Sequence, residues 1–161
     1  MKYLILLTAC IIPIGCSASL SASQSTATYS DLQISMERGV CFGTCPIYKL
    51  TIHADGTINY EGIKFVKIEG NRTAQISPEH IEELVTAIQN IKFFSLENEY
   101  APNFTDMPSI KLSITLNGRS KTIWHYGLLA CGAEKATEDL CQFERQIDEV
   151  VNSNQWVKQD N

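Results

Sequence analysis

The stretch that most constrains the fold spans residues 41–62 and reads CFGTCPIYKLTIHADGTINYEG. Two cysteines separated by three residues precede two runs in which apolar and polar residues alternate, and Asp55-Gly56 stands between the runs. Such alternation predicts half-buried β-strands, and an Asp-Gly pair between them predicts a tight hairpin turn. We therefore expect a small closed loop that leads directly into the first β-hairpin of a globular domain.

The composition is that of one ordinary globular domain. The chain has 161 residues, of which 44% are hydrophobic and 19% charged, and its formal net charge is -5. Without an N-terminal signal and tether, about 130 residues would remain, enough to bury roughly two thirds of their surface on folding. Lysine and arginine are scattered along an acidic chain, so we expect no nucleic-acid partner.

The N-terminus has the pattern of an export signal. Lys2 is followed by an apolar run over residues 3–14 that ends at Gly15-Cys16. The run is shorter than the ~20 residues that a membrane-spanning helix needs, so we interpret residues 1–15 as a signal peptide. The pattern resembles a bacterial lipoprotein signal, although Pro13 departs from the usual leucine at that place. We predict that Cys16 carries the lipid and that its acyl chains hold the protein on a membrane.

Two alternatives remain open for this segment. The sequence before Cys10 fits the lipoprotein pattern locally, but cleavage there would leave a very short signal. A plain secretory signal would instead give a soluble periplasmic or secreted protein. With Cys16 lipidated, Ser17 favours the outer membrane, facing the periplasm, and residues 16–30 form a flexible tether rich in serine, alanine and threonine.

Residues 31–157 are expected to form a single domain, followed by a short tail at 158–161. Periodicity and turn residues predict strands at 32–36, 47–54, 57–61, 65–68, 110–116 and 121–126, helices at 78–91 and 134–151, and a long loop at 92–108. Trp156 and Val157 are expected to dock the tail. The predicted fold is α+β, a two-layer sandwich in which two amphipathic helices pack on one face of an antiparallel sheet. Its hairpin-then-helix unit occurs twice.

The chain also resembles a known family. The Cys-Phe-Gly-x-Cys-Pro-x-Tyr pattern at residues 41–48, ISPEHIEELV, TDMPS, an Asn-Gly hairpin and HYG are similar to an uncharacterised bacterial family, domain of unknown function 6438. The similarity extends over residues 32–157. Members of that family are typically exported proteins and lipoproteins, so the resemblance implies the location of this chain. It implies no activity.

Four cysteines remain beyond the N-terminal segment, and in an exported protein an even number predicts disulfides. Of three possible connectivities we favour local pairing, Cys41 with Cys45 and Cys131 with Cys141. Cys41 and Cys45 could instead be a redox dithiol, but their spacing and the strand that follows do not favour a reactive thiol. A zinc site that uses these cysteines and His125 is a further alternative, disfavoured by the irregular spacing of the ligands.

Other polar residues offer weaker hypotheses. Asp106 and His125, with Tyr100 and Ser109, could form an acid/base site, but we expect Asp106 to cap a turn and His125 to be exposed or on an edge strand. No catalytic or nucleotide-binding motif occurs in the sequence, so we assign neither catalytic residue nor cofactor nor metal.

We therefore predict a lipid-anchored, periplasm-facing module that binds an envelope protein. Its predicted contact surface combines the closed loop with Phe94, Tyr100, Phe104, Asp106 and His125. The competing hypothesis is an envelope enzyme, either a thiol oxidoreductase that uses Cys41 and Cys45 or a hydrolase that uses Asp106 and His125.

Overall fold

A computed structural model describes residues 29–101, 108–126, 131–132 and 135–158. Over these residues the chain forms a mixed α+β fold around one seven-stranded, mostly antiparallel sheet. The predicted signal peptide, Cys10, Cys16 and most of the tether lie outside the described residues, as do Phe104 and Asp106. In the described part of the chain, no helix is both long enough and apolar enough to span a membrane.

The strands follow the two predicted hairpins and add three further strands. They are β1 (Gln33–Arg38), β2 (Ile47–His53), β3 (Thr57–Lys64), β4 (Gly70–Gln75), β5 (Glu99–Tyr100), β6 (Ser109–Leu116) and β7 (Arg119–Tyr126). Their order across the sheet is β4-β3-β2-β1-β6-β7-β5. The helices are α1 (Pro78–Asn90), α2 (Lys135–Val150) and the short α3 (Asn154–Val157).

One face of the sheet is apolar because alternate residues of neighbouring strands are in register. Ile34 of β1 lies opposite Ile52 of β2 and opposite Ile114 of β6, and all three side chains are buried. Buried residues of α1 and α2, including Leu84 and Phe143, belong to the same cluster. Each fully buried side chain of this kind contributes about 1.5–3 kcal/mol, so this shared core accounts for most of the favourable free energy of folding.

The prediction of a strand at residues 65–68 is wrong. Phe65 has a positive φ of 57°, and the backbone N–H of Ile68 donates to the carbonyl oxygen of Trp156 at 2.9 Å rather than to a strand. The next strand, which pairs with the outer side of β3, is β4, and its residues are almost all exposed. An edge strand without an apolar face has no alternation of hydrophobicity, which is why the sequence did not reveal it.

The prediction of an irregular loop over residues 92–108 is also wrong for its first half. Phe93–Ser95 forms a 3-10 turn, and Glu99–Tyr100 forms β5, which pairs with β7 in parallel. This pair makes the sheet mostly rather than entirely antiparallel. The described part of the segment therefore follows the outer edge of β7.

The tail docks as expected. The indole ring of Trp156 stacks on the ring of Tyr60, with centroids 4.9 Å apart, and its side chain is buried. This contact brings α3 and Val157 to the end of the sheet where β1 and β3 finish and β2 begins.

Candidate functional site

The inner face of the sheet carries one polar row at this end. In the row, Tyr48 of β2 lies opposite Arg38 of β1, Arg38 opposite Ile110 of β6, and Ile110 opposite His125 of β7. Elsewhere the inner face of the central strands is apolar. Polar side chains under a helix need partners, because a buried polar group without a hydrogen bond is costly. We call these three polar side chains, with Glu144 and Asp148 of α2, the polar row.

Asp148 of α2 accepts hydrogen bonds from two members of the row, Arg38 and Tyr48. Arg38 donates to Oδ2 of Asp148 from Nη2 at 2.5 Å and from Nε at 3.2 Å. The Tyr48 hydroxyl accepts a hydrogen bond from Nε of Arg38 at 2.8 Å and donates one to Oδ1 of Asp148 at 2.7 Å. The three groups form a closed cycle, and the charged side chains are each 21% exposed. Such a cycle fixes the helix over the end of the sheet.

The ionisation of this cycle follows from its partial burial. Burial lowers the pKa of the Arg38 guanidinium, but the adjacent charge of Asp148 outweighs it and the net shift is upward. Burial raises the pKa of the Tyr48 phenol well above its ordinary value. At neutral pH the cycle therefore holds a charged guanidinium and a neutral phenol, so it offers no nucleophile.

One turn earlier on α2, Glu144 faces His125. Nδ1 of His125 lies 3.3 Å from both carboxylate oxygens of Glu144. His125 is 1% exposed and Glu144 is 2% exposed. The expectation that His125 is exposed or on an edge strand is therefore wrong, since β5 covers β7 on its outer side and the Tyr100 ring packs edge-on against the imidazole. A histidine in this position cannot touch a partner directly.

Both disulfides have the local pairing that the sequence favoured. Cys131 and Cys141, whose Cα atoms are 5.8 Å apart, form the bond that we call the helix disulfide. Sγ of Cys141 lies 3.8 Å and 3.9 Å from the two ring nitrogens of His125, so the sulfur is almost equidistant from them. Cys131 therefore lies beside Cys141 of α2, as the pairing required.

The bond between Cys41 and Cys45 closes the loop that connects β1 to β2. In this closed loop, defined as residues 41–45, the side chain of Phe42 is 92% exposed, and the preceding Val40 is 69% exposed. Gly43 adopts a φ of 135°, a conformation that favours glycine and lets the loop turn within four residues. The result is a covalently fixed apolar tip at the end of the sheet.

A pocket of about 210 Å³ lies beside the closed loop. Its walls are mainly apolar and come from strand ends, the loop and the tail: Cys45, Pro46, Pro108, Ile110 and Val157, with Arg38 and Tyr48 adding the polar part. The backbone N–H of Gly39 donates to the Ser109 carbonyl oxygen at 2.8 Å, which holds the loop against β6. The pocket can accept an apolar side chain, and its polar wall is formed by Arg38 and Tyr48 of the polar row.

The aromatic residues predicted for the contact surface do not lie together. Phe94 packs under the guanidinium of Arg119, 4.4 Å from its ring centroid, at the start of β7. Tyr100 lies beside His125 near the end of β7. Arg119 and His125 are six positions apart along β7, roughly 20 Å. Phe94 and Tyr100 therefore cannot belong to one small contact site, and Phe104 and Asp106 lie outside the described residues.

Sequence reasoning missed Arg38, Glu144 and Asp148. Glu144 and Asp148 are four residues apart and therefore share one face of α2, which is the one signal that could have revealed them. As a buried helix face normally excludes two carboxylates, this pair predicts cationic partners on the sheet.

Comparison with known proteins adds a family but no activity. No curated protein matches the chain. The model of a domain family of unknown function, DUF6438, matches residues 32–151, which include every strand and both long helices. The chain therefore belongs to the DUF6438 family, and the closed loop, the polar row and the helix disulfide all lie inside the matched domain.

Proposed function

We propose that this protein is a lipid-anchored module of the bacterial cell envelope that faces the periplasm and binds another envelope protein through the closed loop. The observation that carries the proposal is the exposed tip of that loop. Phe42 is almost completely exposed although a buried phenylalanine would contribute about 1.5–3 kcal/mol. An apolar side chain held out by a disulfide is suited to insertion into a partner.

The rigidity of the loop supports this function. The Cys41–Cys45 bond and the hydrogen bond from Gly39 to Ser109 order the loop before any partner arrives. Ordering a flexible loop on binding costs free energy, so a preformed loop retains more of the gain from burying Phe42. Aromatic anchors of this kind often dominate the affinity of an interface.

The pocket beside the loop defines the chemistry of the partner. Its apolar walls suit one apolar side chain of the partner, and Arg38 is already neutralised by Asp148. We therefore propose a protein segment that presents an apolar residue to the pocket and an apolar cleft to Phe42, rather than an anionic small molecule.

The location of the protein belongs to the same proposal. Cys16 carries the lipid, residues 1–15 are removed, and residues 16–30 let the domain reach a partner some distance from the membrane. The protein is a lipoprotein of the outer membrane in this proposal.

We also propose that the fold is a two-layer arrangement with a repeated hairpin–helix unit. The single core that both long helices share with the sheet supports this arrangement.

The binding proposal is tested by crosslinking in intact cells. A photoreactive amino acid is placed at position 42 of the full chain, and in a control chain at position 124, because Trp124 is also an exposed aromatic residue but lies on β7, on the sheet face that the helices do not cover. We expect one envelope protein to crosslink at position 42 and not at position 124.

The identified partner is then purified and titrated with the wild type, Phe42→Ala and Trp124→Ala. We expect Phe42→Ala to weaken binding by at least tenfold, about 1.4 kcal/mol, and Trp124→Ala to leave it unchanged. Equal crosslinking at both positions, or equal affinity of both variants, would reject the closed loop as the contact surface.

The envelope enzyme is the competing proposal. A thiol oxidoreductase needs Cys41 and Cys45 to cycle, so protein taken from the periplasm should contain reactive thiols at these positions, whereas the binding module should contain none. A hydrolase that uses His125 should lose its activity in His125→Asn, but the burial of His125 against Glu144 gives substrate no access in this conformation.

A further inference from the structure

The helix disulfide lies close to His125, which is paired with Glu144, and both of these side chains are buried outside the proposed contact surface. His125, Glu144, Cys131 and Cys141 come from β7, α2 and the segment before α2, and they meet under the edge of the sheet. The donor atoms of His125 and the two cysteines all lie within 4.8 Å of one another. Imidazole, two sulfurs and a carboxylate are together the donor set of a tetrahedral zinc site.

The distances from His125 to two of the other donors are close to that geometry, although Glu144 lies outside the group formed by His125 and the two cysteines. With zinc bonds of about 2.0–2.3 Å, neighbouring donors of a tetrahedral site stand about 3.3–3.8 Å apart. Nδ1 of His125 lies 3.3 Å from the carboxylate oxygens of Glu144 and 3.9 Å from Sγ of Cys141, so one ring nitrogen is near both donors. A charge-assisted hydrogen bond is usually shorter, about 2.7–2.9 Å. The separation of His125 and Glu144 therefore falls within the range expected for two ligands of one ion.

We propose that the reduced protein binds one zinc ion through Cys131, Cys141, His125 and Glu144, and that the helix disulfide is the metal-free state of this site. The two states exclude each other because bonded sulfurs are about 2 Å apart, whereas two zinc thiolates need about 3.8 Å. The sulfurs must separate, and the imidazole must turn about its Cβ–Cγ bond to aim a nitrogen at the ion.

The chemistry of the exchange balances with a dithiol reductant. The reductant gives two electrons and two protons to the Sγ–Sγ bond, which becomes two thiols while the reductant becomes a disulfide. Zinc then replaces both thiol protons, which are released to solvent. In the reverse exchange a disulfide oxidant takes two electrons from the two thiolates, takes up two protons from solvent and becomes a dithiol, while the Sγ–Sγ bond forms again and the ion is released, so the site couples metal content to redox state.

The ligands lie on elements that redox change can move. Glu144 is three residues after Cys141 on α2, and Asp148, four residues further, holds Arg38 in the polar row. A shift of Cys141 therefore acts on the helix whose Asp148 holds Arg38, a residue of the pocket wall. The zinc site itself does not depend on the proposed partner.

The test uses the full chain in mild detergent with Cys10, Cys16, Cys41 and Cys45 changed to serine, so that only the helix cysteines remain. The matched control keeps Cys41 and Cys45 and carries serine at positions 10, 16, 131 and 141. Each chain is reduced with a phosphine, and the phosphine is then removed under anaerobic conditions. The reduced chain is titrated with cobalt(II) and then with zinc in competition with a chromophoric chelator.

We expect the first chain to bind one ion with a Kd below about 10⁻⁷ M, with the thiolate-to-cobalt absorption of a tetrahedral site. Reoxidation should release the ion, and the control chain should bind none. His125→Asn and Glu144→Gln should each weaken binding by more than the ~10–100-fold that loss of an outer partner causes.

Three results would overturn the site. Failure of the reduced first chain to bind an ion does so, whether or not its helical circular dichroism is retained. Equal binding by the control chain assigns the ion to cysteines in general. Unchanged affinity in Glu144→Gln and His125→Asn would show that neither side chain is a ligand of the ion.

Discussion

Replacement of Asp148 by asparagine should weaken the fold far more than the same change at another aspartate of α2. The Asp148 carboxylate accepts hydrogen bonds from both Arg38 and Tyr48. Removal of one partner of a buried ion pair costs about 3–5 kcal/mol. Because both charged side chains are 21% exposed, water compensates part of the loss, and we expect a decrease of about 2–3 kcal/mol in the free energy of unfolding.

The measurement is urea unfolding with both disulfides intact, followed by tryptophan fluorescence, since Trp156 is buried against Tyr60. With a urea dependence of about 1.5 kcal/mol per molar, the midpoint should fall by roughly 1.3–2 M. The matched control is Asp139→Asn, which removes an exposed pair with Lys135 on the same helix. Exposed pairs of this kind are screened by water, so the control should keep the midpoint of the wild type.

The reasoning is refuted if the two asparagine variants unfold at the same urea concentration. A double-mutant cycle gives a second check. Arg38→Gln should be destabilising by itself, but in the Asp148→Asn background it should cost at least about 1 kcal/mol less, because the unpaired charge is already present. Strict additivity would mean that the hydrogen bonds of the polar row contribute nothing as a unit.

Three further predictions concern pH and the disulfides. The pKa of Tyr48 is raised by burial, so the folded chain keeps a proton that the unfolded chain releases above pH 10; stability should fall as pH rises above 10, and urea midpoints should fall less steeply in Tyr48→Phe. Backbone N–H groups of the turn between β6 and β7 lower the pKa of Asp31 below 3.8. The stability that this carboxylate contributes is present above that pH and is lost as pH falls. Urea midpoints of Asp31→Asn should therefore decrease less between neutral and acidic pH than those of the wild type. The cysteines of the helix disulfide are ten positions apart, so their replacement by serine should lower the free energy of unfolding by about 2.7 kcal/mol. The cysteines of the closed loop are four positions apart, and their replacement should lower it by about 1.9 kcal/mol. A larger loss at the closed loop in urea unfolding would contradict the loop-entropy argument.

The hairpins and long helices could be predicted because they are encoded by local periodicity. The alternation around Asp55-Gly56 and Asn117-Gly118 located β2, β3, β6 and β7 with no strand end more than three residues out, since each turn fixes the register of its own two strands. The edge strands β4 and β5 could not be predicted in this way. β4 has no buried face, and β5 has two residues, so neither carries a period that a sequence pattern could reveal.

The candidate site was only partly predictable. The cysteines and the closed loop stand out as residue types with few roles in an exported chain, but the aromatic segment 93–108 was assigned to one surface that the fold spreads along β7. His125 was expected near water and is buried. The solvent exposure of a side chain depends on which elements cover its strand. His125 is covered by β5, which is too short to recognise in the sequence, and by Glu144 of α2, which lies 19 positions further along the chain.

The sequence by itself determined the two hairpins and the two long helices, favoured the local disulfide pairing and carried the resemblance to the family. Only the tertiary structure decided that Arg38 meets Asp148 across 110 positions of the chain, that Glu144 lies against His125, and that Pro108 and Val157 complete a pocket beside Phe42. The physical reason is range. Periodicity and turns are set by neighbours within a few residues, whereas the placement of α2 over the end of the sheet results from the packing of the whole core.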